Sequence, residues 1–132
     1  MTKAGARGQA ALEYILVMLA FFSAFALLLP AYSFVVDSFM YATDSVLAKQ
    51  ISQEINSEVE LFAFLSNGSE KTFAYTPAKE ISFINKGGEV FVSSKEKEFQ
   101  INIVHEIESK VFSQKFSIKI IKQNNVVQML FN

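Results

Sequence analysis

The chain has 132 residues, enough for one small domain with an accessory element. Its formal net charge is −1 and it has no cysteine, so the composition gives no basic face for nucleic acid and excludes disulfides, thiolate metal sites and cysteine nucleophiles. Charge is also unevenly spread: between Ala10 and Val36 the only formal charge is Glu13, while residues 37–132 carry the remaining acids and most of the bases. A membrane-type segment is therefore joined to a soluble-type one.

Residues 1–8 are short, polar and basic. Lys3 and Arg7 precede the apolar run and should stay on the cytoplasmic side. Loss of these eight residues would move the net charge from −1 to −3, since they hold two bases and no acid. The run from Ala10 to Val36 is long enough to cross a bilayer as a helix and too long for the apolar core of a secretory signal. Pro30 lies inside it and should kink or locally unwind the helix. In "DSVLAKQISQEINSEVELFAFL" the apolar residues Leu47, Ile51, Ile55, Val59 and Phe62 recur at three- and four-residue spacing among Lys, Gln, Ser, Glu and Asn. This is an amphipathic helix with one apolar stripe. The reading is one long helix over roughly residues 9–65, apolar all round in its first half and one-sided in its second. Gly68 in "SNGSE" is placed to end it.

The remainder predicts strands. "KTFAY" is short and stops near Pro77. "EISFI" and "EVFVSS" form a hairpin around Gly87 and Gly88. "FQINIVHEI" alternates at Phe99, Ile101 and Ile103, and "KFSIKII" at Phe116, Ile118 and Ile120. "QNN" turns the chain into a last strand, "VVQMLF". Five or six antiparallel strands suggest a meander or small twisted sheet, with the amphipathic half-helix covering its apolar face. The fold class is α+β: a long N-terminal hydrophobic helix followed by a small antiparallel β-sheet head domain.

Glu13 has two physical readings. In a plain single-span anchor it would snorkel to the interface. In a packed helical core it would need a partner, because breaking a buried ion pair costs about 3–5 kcal/mol.

The stretch "RGQAALEYILVML" resembles the class III signal peptide of archaeal type IV pilins. In that family a prepilin peptidase cuts just before a glutamine that opens the hydrophobic helix, and a glutamate follows four residues later. The matching positions are Gly8 before the cut, Gln9 after it, and Glu13. Ala11 stands where the family usually has serine, and Val17 where it usually has leucine. The resemblance implies a pilin lollipop with a cleaved leader at 1–8, a membrane and filament-core helix at 9–36, an amphipathic continuation at 37–66 and the β head at 67–132. It implies a structural subunit rather than an enzyme, with no cofactor. The precursor would sit in the membrane, and the mature homo-oligomer would form a cell-surface helical filament for adhesion. Glu13 would pair with the new amine of Gln9 on a neighbouring copy and set its register. A minor pilin or pseudopilin of a secretion or uptake system, and an uncleaved single-span protein whose β domain binds a partner, are the alternatives.

Other signals are weaker. Asn67-Gly68-Ser69 is the one N-glycosylation sequon, in an expected surface loop. His105 is the only histidine and lies in a strand pattern; with no cysteine or second histidine beside it, it reads as a solvated or edge position rather than a metal ligand, and no nucleophile motif supports a Ser-His-Asp triad. The pairs Glu58/Glu60 and Glu96/Glu98 sit among lysines and read as solvated faces. Phe21, Phe22, Phe25, Phe34 and Phe39 suit lipid or a shared helical core equally well.

Overall fold

A computed structural model of the chain describes residues 3–95, 97–103 and 107–132, with the side chains of residues 3–7 set aside. One long apolar N-terminal helix is followed by two small antiparallel sheets, so the expected α+β class holds. The helix, α1, spans Lys3–Phe64. It begins inside the expected leader and closes within a residue of the expected end. It continues helical through Pro30, so the expected unwinding is absent. The chain divides into two units, one ending at Ser38 and the other spanning Phe39–Asn132.

In the second unit seven strands follow α1 among the described residues: β1 (Glu70–Tyr75), β2 (Ile81–Lys86), β3 (Glu89–Ser94), β4 (Lys97–Ile101), β5 (Lys110–Phe112), β6 (Phe116–Gln123) and β7 (Val126–Phe131). They form a three-stranded sheet ordered β1-β6-β7 and a four-stranded sheet ordered β4-β3-β2-β5. This corrects the single-sheet expectation. The β2-β3-β4 part is a meander, but β1 pairs with β6, with Phe73 opposite Ile118, and not with β2. The chain leaves β1 through Thr76 and Pro77, and proline cannot donate to a ladder.

The turns are set by residues that tolerate positive φ. Gly87 and Gly88, at φ 64° and 89°, close β2 onto β3. Asn124 and Asn125, at 50° and 63°, do the same between β6 and β7.

The expected stripe is the core. Ile51, Ile55 and Phe62 are buried, with Leu47 and Val59 partly buried against them. Burying an isoleucine side chain contributes about 1.5–3 kcal/mol. The inward positions Phe116, Ile118 and Ile120 of β6 are buried as their alternation predicts. The two sheets meet through phenylalanines: the Phe83 ring lies 5.9 Å from that of Phe116 and 4.7 Å from that of Phe131.

Three polar devices position α1 on the sheets. Asp44 is fully buried, and its carboxylate accepts hydrogen bonds from the backbone N–H groups of Ala78 (2.6 Å), Lys79 (2.8 Å) and Glu80 (2.9 Å). Those residues lead into β2, so one helix side chain fixes where the second sheet begins. Ser52 Oγ and Asn56 Nδ2 donate to the Gln100 carbonyl at 2.6 and 3.2 Å, while Asn56 Oδ1 accepts from Asn102 N–H at 2.7 Å. Asn56 thus serves the edge of β4 as a neighbouring strand would. This is also why the expected long strand through "FQINIVHEI" stops at Ile101: Asn102 N–H turns to the helix, and Ile103 N–H bonds back to the Ile101 carbonyl.

Lys122 is the third device. The last turn of α1 has no basic residue. The buried Lys122 of β6 donates instead to the carbonyls of Ala63 (3.0 Å) and Leu65 (2.8 Å), two acceptors that the helix end leaves unsatisfied.

Asp44→Ala should lower the unfolding free energy by about 3 kcal/mol or more, because it leaves three backbone donors without their charged acceptor. Asp44→Asn, which keeps one acceptor oxygen, should cost less. Denaturant titration of both variants in detergent checks this order, and equal stability of Asp44→Ala and the parent would contradict it.

Candidate functional site

The N-terminal unit holds the candidate site. Every described residue from Gly8 to Val35 is exposed, including Phe21, Phe22, Phe25 and Phe34. None of the apolar stretch of this helix is buried, and it is long and apolar enough to cross a membrane. The span from Ala10 to Val36 would measure about 40 Å at the helical rise per residue. Phe21 stacks on Phe25 at 6.4 Å and meets Phe22 edge-on at 5.7 Å, which makes an aromatic surface that only lipid or another protein surface would cover favourably.

Gly8, Gln9 and Glu13 lie together on this helix. The Gln9 side-chain amide donates to Glu13 Oε1 at 3.3 Å, one helical turn away. The structure therefore brings the two expected register residues into contact within a single chain. A side chain at Gly8 would meet no heavy atom within 4 Å. Glycine inside a helix costs about 1 kcal/mol relative to alanine, and nothing in the described fold requires it here.

Asn67 is exposed just beyond α1. Its Oδ1 accepts the backbone N–H of Asn125 at 2.9 Å, which ties the helix end to the β6–β7 turn. Gly68 adopts φ 92° and donates its N–H to the Lys122 carbonyl at 2.8 Å, so the breaker also joins helix to sheet. Asn125, Lys122, Val59 and Ala63 line a groove of about 620 Å³ at this corner.

His105 and Glu96 lie outside the described residues. Glu58 is paired with Lys71, and Glu98 with Lys86 at 2.7 Å, rather than being merely solvated. Glu60 is exposed, as expected for a solvated face. Among the described residues no group of three or more His, Cys, Asp or Glu could hold a metal ion.

Asp44, Ser52, Asn56 and Lys122 were not singled out from the sequence, yet two of them carried a signal. Asp44 falls on the apolar stripe, four residues before Ala48 and seven before Ile51. Lys122 continues the inward alternation 116, 118, 120 of β6. A charge at a core position points to a buried polar role.

Tyr75 is the one described group with a resolved shift in its acidity. Burial raises its hydroxyl pKa well above the usual phenol value, helped by its 2.7 Å hydrogen bond to the Glu54 carboxylate and by the charges of Glu54 and Glu58. The folded state therefore keeps a proton that the unfolded chain gives up near pH 10.

Comparison with protein-family models, with curated proteins and with solved structures finds no match to this chain.

The Tyr75 contribution is present below about pH 10 and is lost as pH rises beyond it. Stability measured from pH 8 to 11 should fall more steeply for the parent chain than for Tyr75→Phe, with the lysines common to both. Parallel curves would contradict the assignment.

Proposed function

We propose that the chain is the precursor of a type IV pilin-like structural subunit of the archaeal kind. A prepilin peptidase cuts between Gly8 and Gln9, and the mature chain polymerises through its N-terminal helix into an extracellular filament for surface attachment. The observation that carries this reading is Glu13, the single carboxylate of the stretch Ala10–Val35 of α1 that is exposed on every side, one turn after Gln9.

Cleavage creates a positive amine at Gln9. Near the cytoplasmic end of the helix, Glu13 is inexpensive to hold in the bilayer compared with the roughly 2.5–3.5 kcal/mol of a mid-membrane charge. Once helices pack away from water it needs a cation, and the Gln9 amine of a neighbouring copy supplies one. The pair sets register, since only one axial offset joins the two charges. The Gln9–Glu13 contact within one chain supports their mutual reach. The unforced glycine at Gly8 fits a position read by a peptidase rather than by the fold. Assembly of this kind is head-to-tail and non-closing, which yields a filament. The subunit is structural and performs no chemistry of its own.

A second reading is an uncleaved single-span membrane protein with an exposed β domain. It draws support from α1, which runs helical without a break across the Gly8–Gln9 bond.

Glu13→Ala should still be inserted and cleaved, but its filament yield should drop sharply when sheared extracellular material is compared with the membrane fraction. A normal yield would sink the register role.

A further inference from the structure

The groove beside the last turn of α1 holds a charge that the fold does not neutralise. Lys122 is 7% exposed and is the one buried lysine among the described residues. The more open Lys71, Lys86 and Lys119 each pair with a glutamate, namely Glu58, Glu98 and Glu70. Among the described residues Lys122 pairs with no carboxylate. Its ammonium has three N–H groups, and the carbonyls of Ala63 and Leu65 take two of them. A buried cation is normally matched by a counter-charge, and carbonyl dipoles supply only part of one.

Lys122 lies on the lining of the groove of about 620 Å³, a volume within the range of small-molecule sites. Val59 and Ala63 of α1, with Ile103 and Val127, give the groove apolar walls, and Asn102 adds a side-chain amide. Two nearby backbone donors are already engaged, Asn102 N–H by Asn56 and Asn125 N–H by Asn67. What is left is one ammonium N–H and one amide beside an apolar surface. That set suits a monoanion with an apolar body. It suits phosphate poorly, because phosphate is held by several convergent donors. The carbonyl oxygens at 2.8 and 3.0 Å from the ammonium would also repel a dianion.

We propose that this groove binds a small apolar monocarboxylate. One carboxylate oxygen accepts the remaining N–H of Lys122, and the hydrocarbon body lies against Val59, Ile103 and Val127. The ammonium then has the counter-charge it lacks, and the apolar walls lose their water. The ligand touches both α1 and β7, so its binding also braces the end of the helix against the sheet. The site is built from the second unit alone and does not rest on cleavage or polymerisation.

The test uses the full chain in lipid nanodiscs, with isotope-labelled valine and isoleucine methyls, titrated with hydrocinnamate and separately with the neutral hydrocinnamyl alcohol. The expected result is a saturable shift of the Val59, Ile103 and Val127 methyl signals with the acid. The alcohol should bind about tenfold more weakly, the loss expected for one hydrogen bond to a charged group. Ala63→Trp fills the groove and keeps the Ala63 carbonyl; it should abolish the shift while the Ile51 and Ile55 signals stay unchanged. Lys122→Met should bind acid and alcohol alike, and because it can loosen the helix end, Ala63→Trp carries the test of the site. No saturable shift in the parent chain, or a shift that persists in Ala63→Trp, would overturn the site. Equal affinity of the parent for acid and alcohol, or tighter binding of inorganic phosphate than of the acid, would overturn the ligand class.

Discussion

The apolar surface of α1 between Ala10 and Val35 is exposed on every side, and this constraint governs the rest of the molecule. A helix apolar all round is stable only in lipid or among other apolar helices. The same residue types satisfy both, so one segment can be held in a bilayer and later shared with other copies. A single charge in such a segment then takes on weight that it would lack on a soluble surface. Glu13 is that charge, and its only hydrogen-bond partner among the described residues is the side chain of Gln9.

The second unit solves a different problem with the same helix. From Phe39 onward α1 must present one face to two sheets while the other face stays outside. Hydrophobic burial of Ile51, Ile55 and Phe62 supplies most of the attraction, but it is non-directional. Direction comes from polar groups at fixed heights on the helix. Asp44 holds the entry to β2, Ser52 and Asn56 hold the edge of β4, and Lys122 of β6 closes the last turn. Each gives a partner to backbone groups that lie outside the helix and strand ladders, and a hydrogen bond of this kind contributes about 0.5–1.5 kcal/mol. The fold is specified by these contacts as much as by its core.

Much of this was legible in the sequence, because periodicity reports burial directly. The stripe 47, 51, 55, 59, 62 and the alternation 116, 118, 120 predicted the core positions, and Gly87-Gly88 and the Asn124-Asn125 pair predicted two turns. Strand order was not legible. The pairing of β1 with β6 joins residues from 41 (Tyr75 and Phe116) to 51 (Glu70 and Ile121) positions apart and leaves no local pattern. The three-residue β5 is too short to alternate visibly. The end of β4 depends on Asn56, a helix residue that looks like ordinary surface. At the N-terminus, four residues in a helix bring the side chains of Gln9 and Glu13 of one chain within hydrogen-bonding distance.

The central claim is that the helix is cut before Gln9 and leaves the membrane for a surface structure. The N-terminal peptide mass of the chain in the sheared extracellular fraction tests it most directly. A peptide beginning at Gln9 in that fraction is the predicted result. A chain found solely in membranes with residues 1–8 still attached would contradict the account and favour an anchored protein with an exposed β domain.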